Sequence, residues 1–226
     1  MNVAIVVAGG KGLRFGGDRP KQFLEVNGSP IIIHTLRQFE RCREIESVIV
    51  VLPAEETAGF QSLAEKFGLK KVTRVVAGGA TRAQSVRQGL AVIDHAEVVA
   101  VHDGVRPLVT PEEIDLVVST ANDKGCAILV ANIKDTIKEI VADRIIETVP
   151  RTNLRRALTP QCFQFDILKR AYLLLCELEQ SGVDVTDDSM LVERLGIRIV
   201  AVEGSARNIK ITTEEDLIFF RSVVSG

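Results

Sequence analysis

Short runs of β-branched and aliphatic residues alternate along the chain with stretches whose apolar positions recur every three or four residues. The runs are apolar at successive rather than alternate positions, which predicts strands buried on both faces. They fall at Val3–Ala8, Ser47–Leu52, Val72–Ala77, Val98–His102, Ala127–Ile133 and Ile197–Glu203. Between them, helices are predicted at Ile31–Cys42, Glu55–Phe67, Ala83–Asp94, Pro111–Lys124, Asp166–Gln180 and Asp187–Leu195. A last helix runs from about Thr213 to Val224, with Thr-Thr-Glu-Glu-Asp as its N-terminal signature. This alternation predicts one α/β domain over residues 1–226, built on a doubly wound, mostly parallel sheet. Such sheets bind ligands outside the carboxyl ends of their strands, so the residues that follow each strand carry the functional reading.

One stretch breaks the pattern. Lys134 to Val149 reads as two short polar-faced strands around Ala142-Asp143-Arg144, an arm spanning about 133–152. A hairpin projecting from the body exposes edges that need a partner. A dimer contact is its simplest use, and an ordinary surface hairpin is the alternative.

The first strand opens at once into Gly9, Gly10 and Gly12, in the run Val-Ala-Gly-Gly-Lys-Gly-Leu-Arg-Phe, followed by Pro-Lys-Gln-Phe-Leu. Glycines there permit positive φ and a close backbone approach to a ligand. Successive N–H groups in such a turn form an anion-binding concavity. Arg14 and Lys21 add two positive charges, and the set suggests a polyphosphate site. A glycine turn that serves packing alone is the plainer alternative. Spacing tests two common phosphate loops. No Gly-Lys-Ser or Gly-Lys-Thr occurs, so there is no P-loop. Gly10, Gly12 and Gly16 hold one residue too many for a dinucleotide fingerprint, and the second strand ends in Leu52-Pro53-Ala54 without the acid that a ribose needs. A nicotinamide-dependent oxidoreductase is therefore disfavoured.

Two more clusters follow strands. Gly78, Gly79, Arg82 and Ser85 lie in Gly-Gly-Ala-Thr-Arg-Ala-Gln-Ser-Val, where glycines let a base or ribose approach the backbone. Ser85 stands one helical turn past Arg82, on the same side. A glycine turn closed by a helix cap at Thr81 is the alternative. His102 to Pro107 reads His-Asp-Gly-Val-Arg-Pro. Asp103 beside Gly104 suits a Mg²⁺–phosphate or a substrate hydroxyl, and Arg106 suits a phosphate or the task of holding Asp103. A structural Asp–Arg pair closing a turn is the alternative there. The three clusters belong to different βα units, and the fold class sets all three at one sheet edge.

Composition narrows the partners. The net charge of −2 gives no bulk attraction for nucleic acid or membrane, so phosphate binding depends on local Arg and Lys placement. No apolar run reaches the roughly 18 residues of a membrane span, and the N-terminus lacks the features of a signal peptide, which leaves the cytoplasm as the default. Four cysteines form no Cys-x-x-Cys pair and only three histidines are present, so free, mostly buried thiols are expected and a zinc site is not. With no tryptophan and one tyrosine, Tyr172, a base-stacking platform for single strands is not expected. No Ser–His–Asp, Cys–His or metal-histidine set stands out. Transfer of a nucleotidyl group to a phosphate needs none, because the attacking oxygen is already ionised and the protein supplies positioning and positive charge.

In their order along the chain, these motifs resemble those of the 2-C-methyl-D-erythritol 4-phosphate cytidylyltransferases, within the sugar-phosphate cytidylyltransferase family. The resemblance rests on Ala-Gly-Gly-Lys-Gly-Leu-Arg-Phe, Pro-Lys-Gln-Phe-Leu, Gly-Gly-Ala-Thr-Arg-Ala-Gln-Ser-Val, His-Asp-Gly-Val-Arg-Pro, Asp-Thr-Ile-Lys, Pro-Arg-Thr-Asn-Leu-Arg-Arg-Ala-Leu-Thr-Pro-Gln-Cys-Phe, Val-Thr-Asp-Asp-Ser and Asn-Ile-Lys-Ile-Thr. It implies a nucleotidyltransferase Rossmann-like fold, CTP as co-substrate, and Mg²⁺ or another divalent cation. It also implies roles. Arg14 and Lys21 grip the CTP triphosphate and stabilise the transition state. Ala8, Gly9, Gly10, Gly12, Gly79, Arg82, Ser85 and Gly104 surround the nucleotide. Asp103 faces the acceptor close to the metal, with Arg106 beside it. Thr136, Arg151, Thr159, Thr186 and Lys210 form the acceptor pocket, where Arg151 and Lys210 hold the sugar phosphate for attack. In that family Thr136 and Arg151 come from the arm of the neighbouring subunit, which implies a homodimer with shared sites.

The chain departs from the family pattern at Val7-Ala8-Gly9-Gly10, where many members have Pro-Ala-Ala-Gly, and at Gly104-Val105, where many have a small pair. The Ala-Gly-Gly form also occurs in enzymes that act on ribitol 5-phosphate, which stay an alternative. Arg151 after Val149-Pro150 and the Asn-Ile-Lys-Ile-Thr segment favour methylerythritol phosphate. A non-catalytic nucleotide sensor is a further alternative, opposed by the intact Arg14, Lys21, Arg151 and Lys210. The chain stops after the last helix, which predicts no fused cyclodiphosphate synthase.

Overall fold

The computed structural model describes residues 1–10 and 20–225. In chain order these form β1 (Val3–Val7), a one-turn 3-10 helix (Lys21–Phe23), β2 (Glu25–Val26), β3 (Ser29–Pro30), α1 (Ile31–Arg41), β4 (Ser47–Leu52), α2 (Ala54–Thr57), α3 (Phe60–Lys66), β5 (Val72–Ala77) and α4 (Arg82–Ala91). There follow β6 (Val98–Asp103), α5 (Pro111–Lys124), β7 (Cys126–Asn132), β8 (Ile137–Val141), β9 (Arg144–Val149), β10 (Arg155–Gln164), α6 (Phe165–Tyr172), α7 (Leu175–Gln180), α8 (Asp188–Glu193), β11 (Val200–Glu203) and α9 (Glu214–Val224).

The central sheet has seven strands in the order β11-β7-β10-β6-β1-β4-β5. All neighbours pair in parallel except at β10, which runs antiparallel to both β6 and β7. The alternation of side chains along β1 shows why its run is apolar throughout. Val3, Ile5 and Val7 pack with α4, α6 and α8 on one face, while Ala4, Val6 and Ala8 pack with α1, α3 and α5 on the other. Helix starts follow local chemistry. Thr110 and Glu113 form a capping box with Pro111 behind the cap on α5, and Thr213 and Asp216 form another on α9.

Four expectations are corrected. The helix expected over Glu55–Phe67 is two helices, because Gly59 takes a left-handed φ of 85° between them. The helix expected over Asp166–Gln180 is α6 and α7, with Leu173-Leu174 between. The last expected strand begins at Val200 instead of Ile197. The fourth is β10, a ten-residue strand between β6 and β7 that the hydrophobic pattern does not announce. Its first three residues are exposed, and Pro160 sits inside it, where the register against β7 shifts between Ala157 and Gln161. Proline inside a run argues against a central strand unless a bulge accommodates it, and that is the arrangement here.

β8 and β9 form the expected arm, a separate two-stranded hairpin. Ala142 and Asp143 carry φ of 45° and 66°, a primed turn whose twist suits a two-residue connection. Ile140, Val141, Ile145 and Ile146 on it are more than half exposed.

Because Phe163 lies fully buried on β10 against the α6 side of the sheet, Phe163→Ala is expected to destabilise the fold by about 3–5 kcal/mol. Urea unfolding followed by circular dichroism measures this, and a loss under 1 kcal/mol would mean that β10 is not the central strand described.

Candidate active site

The carboxyl ends of four neighbouring strands are level. Val7 of β1 is paired with Asp103 of β6. Just past the strands, Ala8 N–H donates to the Val51 carbonyl, Gly78 N–H to Leu52 and Gly104 N–H to Val7. The loops after β1, β5 and β6 therefore leave the sheet side by side. Their small residues are matched to one another. A Cβ on Gly104 would stand 2.9 Å from the Ala8 Cβ, and one on Gly9 3.1 Å from the Ser85 hydroxyl oxygen. Gly9 and Gly10 do not use the left-handed backbone that glycine permits. What Gly9 needs is room beside Ser85.

Gln22 supports this turn. Its Nε2 donates to the Ala8 carbonyl at 2.7 Å and to the Gly10 carbonyl at 3.2 Å. The C=O and N–H of a trans peptide point in opposite directions, so the Gly9 N–H is aimed away from Gln22. Lys21, half-buried, opens the one-turn helix that carries Gln22. Ser85 accepts from Gly79 N–H at 3.1 Å and donates to the Thr81 carbonyl at 2.9 Å. Thr81 caps α4 by accepting from Gln84 N–H, so the cap foreseen as the plainer alternative is present alongside the converging loops.

The charged centre is Asp103, buried at the end of β6 among three cations. Arg82 Nε lies 3.0 Å from its Oδ1, while Arg106 Nε at 3.1 Å and Lys210 Nζ at 3.2 Å share Oδ2. Burial by itself raises the Asp103 pKa. The opposing charges, Arg82 first and then Lys210 and Arg106, outweigh it and hold the carboxyl well below the usual carboxylate range. Arg106 also donates from Nη1 to the Asn208 carbonyl, and the Ile211 N–H donates to Val105, which brings the loop bearing Lys210 onto the end of β6.

Beneath Asp103, a neutral histidine orients the floor. Asp103 N–H donates to the Thr159 Oγ1 at 3.2 Å, leaving the Thr159 hydroxyl hydrogen for His102 Nδ1 at 2.9 Å. The His102 Nε2–H then donates to the Arg106 carbonyl at 3.2 Å. Burial pushes the His102 imidazole down to about 3, so this tautomer carries no charge at neutral pH. Gln161, two residues further on, accepts at Oε1 from the N–H groups of Asp188 and Ser189 and donates from Nε2 to Asp187. That fixes the start of α8 and places Thr186 beside Thr159.

A cavity of about 200 Å³ opens over this centre, lined among others by Arg82, Asp103, Arg106, Thr159, Thr186 and Lys210. Of the residues expected around the acceptor, Asp103, Arg106, Thr159, Thr186 and Lys210 are thus together. Thr136 and Arg151 stand exposed at the base of the arm instead, where the Arg151 guanidinium donates to the Lys134 carbonyl. Gly12 and Arg14 lie outside the described residues. Arg82, grouped with the nucleotide on sequence grounds, stands on the cavity wall with its guanidinium 3.0 Å from Asp103 and 2.9 Å from Asp188. Asp103, expected close to the metal, has both its oxygens in ion pairs with the three cations Arg82, Arg106 and Lys210. Among the described residues no three His, Cys, Asp or Glu side chains converge as a metal site.

Sequence reasoning missed Gln22, His102, Gln161, Asp188 and Asn208 as working residues. Each is a polar residue inside a quoted motif, and each is buried. A polar side chain amid an apolar run that must be satisfied on burial is the signal that was there to use.

A family model described as 2-C-methyl-D-erythritol 4-phosphate cytidylyltransferase matches residues 2–225. A protein of that name from Bacillus velezensis is 42% identical over 99% of this chain and 96% of its own length. Another, from Alkaliphilus metalliredigens, is 42% identical over 98% of this chain and 92% of its own. Among solved structures, the 4-diphosphocytidyl-2C-methyl-D-erythritol synthase of Anaerococcus prevotii superposes with a TM-score of 0.85 at 30% identity, covering 100% of this chain and 96% of that one. The 2-C-methyl-D-erythritol 4-phosphate cytidylyltransferase of Thermus thermophilus gives 0.81 at 29% identity, with both chains covered in full.

The buried imidazole makes a pH prediction. An unfolded chain takes up the His102 proton near 6.5, whereas the folded one resists it to about 3. Stability from this group is complete above 6.5 and is lost as pH falls through the window below it, by up to about 1.4 kcal/mol per pH unit for one proton. Partly buried His34, also lowered by its burial, adds in the same direction. Thermal melts between pH 7 and 4.5 are expected to show a clearly shallower slope for His102→Gln; an unchanged slope would contradict a neutral buried His102.

Proposed function

The chain belongs to the 2-C-methyl-D-erythritol 4-phosphate cytidylyltransferase family, and from that premise we propose how its residues divide the work. It transfers a cytidylyl group from CTP to 2-C-methyl-D-erythritol 4-phosphate, giving CDP-methylerythritol and pyrophosphate in the non-mevalonate route to isoprenoid precursors. The relatives do not favour the ribitol 5-phosphate alternative. In the reaction an oxygen of the acceptor phosphate attacks the α-phosphorus of CTP, the new P–O bond forms, and the bond to the β-phosphate oxygen breaks with its electron pair leaving on pyrophosphate. The attacking oxygen is already ionised, so positioning and charge carry the catalysis.

The observation that carries the assignment is the small cavity over Asp103 and its cations. At about 200 Å³ it is below the roughly 300–1,000 Å³ of sites for larger ligands, a size suited to a short polyol phosphate rather than to a whole nucleotide. We assign the acceptor to this cavity, with Lys210 and Arg106 turned to its phosphate and Thr159 and Thr186 on its wall. Asp103 holds these cations in place. The nucleotide takes the adjacent edge, with Ala8, Gly9, Gly10, Gly79, Ser85 and Gly104 as close backbone neighbours and Arg14, Gly12 and Lys21 at the triphosphate. A divalent cation, Mg²⁺ or another, screens phosphate charge when it arrives as the CTP complex.

The chain works as one nucleotidyltransferase domain with the arm as an excursion, and as a homodimer in which the arm lends Thr136 and Arg151 to the partner's acceptor pocket. Exposed isoleucines on the arm, and a cavity lining in this chain that does not include Thr136 or Arg151, support this. The cytoplasm is its compartment, in line with four free cysteines. No helix among the described residues is long and apolar enough to cross a membrane.

The direct test is pyrophosphate release from CTP and Mg²⁺, with methylerythritol 4-phosphate and ribitol 5-phosphate in parallel. Release with the first alone is expected, and release with the second alone would overturn the acceptor. Lys21→Ala is expected to lower kcat by about 10²-fold or more with little change in Tm; near-normal turnover would remove Lys21 from the transition state. Arg151→Ala is expected to raise KM for the sugar phosphate more than for CTP. Mixing the two impaired variants, at an acceptor concentration well below the raised KM, should restore some activity through heterodimers with one intact site, and no recovery in confirmed heterodimers would place each site within one chain.

A further inference from the structure

A second carboxylate stands behind Arg82. Asp188, at the start of α8, is fully buried. Its Oδ2 lies 2.9 Å from Arg82 Nη2, its Oδ1 accepts from the Tyr172 hydroxyl at 2.5 Å, and its own N–H donates to Gln161 at 3.0 Å. The groups form a continuous line: Tyr172, Asp188, Arg82, Asp103. Only the last two reach the cavity wall.

A buried carboxylate so placed is not needed to dock its helix. α8 is already held by Gln161 on two backbone N–H groups, by the Asp187 cap accepting from Met190 N–H, and by buried Leu191 and Val192. What Asp188 does uniquely is to occupy the far edge of the Arg82 guanidinium. That cation is planar and presents its donors as a rigid fork. Nη2 forms an ion pair with Asp188 and Nε meets Asp103 at Oδ1, so Asp103 faces one nitrogen of the guanidinium rather than a two-pronged edge. Released from Asp188, the fork would be free to take both oxygens of Asp103 and to compete with Arg106 and Lys210 for Oδ2. Tyr172 in turn is a committed donor, because burial and then the charge of Asp188 raise its pKa well above the ordinary value.

We propose that Asp188, set by Tyr172, is a positioning residue for the cytidylyl transfer: it fixes Arg82 so that Asp103 keeps Oδ2 for Arg106 and Lys210, the cations that face the acceptor. The inference rests on the assignment of the acceptor to this cavity. It acts through Arg82 and Asp103 and touches no substrate.

The test pairs kinetics with a spectroscopic readout. Asp188→Asn is expected to lower kcat roughly tenfold, with KM for CTP changed by less than about twofold. Asp103→Asn is expected to be impaired, and adding Asp188→Asn to it should cost less than about twofold more, since the two act in one line. A purely structural role would cost the same in both backgrounds. Tyr172→Phe, nearly isosteric, should lose several-fold in kcat and keep its Tm close to the parent. The chain has one tyrosine, so tyrosine labelled with ¹³C at Cζ gives a single resonance from the end of the line. Methylerythritol 4-phosphate, added to the intact enzyme saturated with CMP, should shift that resonance saturably, and this readout decides if Asp188→Asn fails to fold. A folded Asp188→Asn with parental kcat, full additivity with Asp103→Asn, or a resonance unmoved at saturating acceptor would each overturn the inference. Parental activity in Asp103→Asn would instead remove the acceptor assignment on which it stands.

Discussion

The site depends on keeping one carboxylate charged where burial opposes it. Asp103 stands at the end of β6, the middle strand of the seven, and the combined field of Arg82, Arg106 and Lys210 keeps it ionised there. Each of those cations comes from a different part of the chain: the start of α4, the loop after β6, and the loop before α9. The carboxylate therefore does for three segments what a metal ion does in other sites. It gives them a common point, and the hydrogen bonds among Thr159, His102 and Asn208 fix that point relative to the sheet.

That arrangement separates shape from charge. The turn after β1 is a matter of shape: small residues, a neighbour with room for them, and Gln22 directing the carbonyls. The cavity over β6 is a matter of charge: two buried carboxylates against three cations. The two lie side by side because parallel pairing brings Val7 level with Asp103. On the proposed assignment, a nucleotide's backbone-recognised parts and an acceptor's phosphate meet without any one loop having to reach both.

How far the sequence carries follows from the physics of each part. Strands buried on both faces announce themselves, and β4 and β5 lie where the apolar runs put them, as does α5, whose Thr110-Pro111 start is a local signal. β10 does not, because exposed Arg155 and Arg156 at its start and Pro160 at its bulge interrupt any apolar pattern. The small hairpin of β2 and β3 went unread although Asn27-Gly28, both at positive φ, is a strong turn signal; two residues per strand are too few to show a period. Among site residues, those that carry charge at a strand end were legible. Gln22, Gln161 and Asn208 were not, since their work is to satisfy backbone groups that exist only once the loops have converged. The fate of Arg82 was equally hidden, as nothing local links it to Asp188, 106 positions away in the chain.

The position of β10 bears on how the molecule is made. β1, β4, β5 and β6 are parallel neighbours encoded before residue 104, and they can assemble as soon as that length of chain is available. Their next neighbour in the sheet is β10, and β7, although made earlier, pairs with β10 and β11 instead of with β6. During synthesis the growing sheet therefore waits with β6 as an open edge while some 60 further residues emerge. Open edges invite pairing with other chains, and non-local closures are slow. The stretch that will hold the reaction's charged centre is thus also the last edge of the sheet's first half to be covered, so the site and the vulnerable interval of biogenesis share one strand.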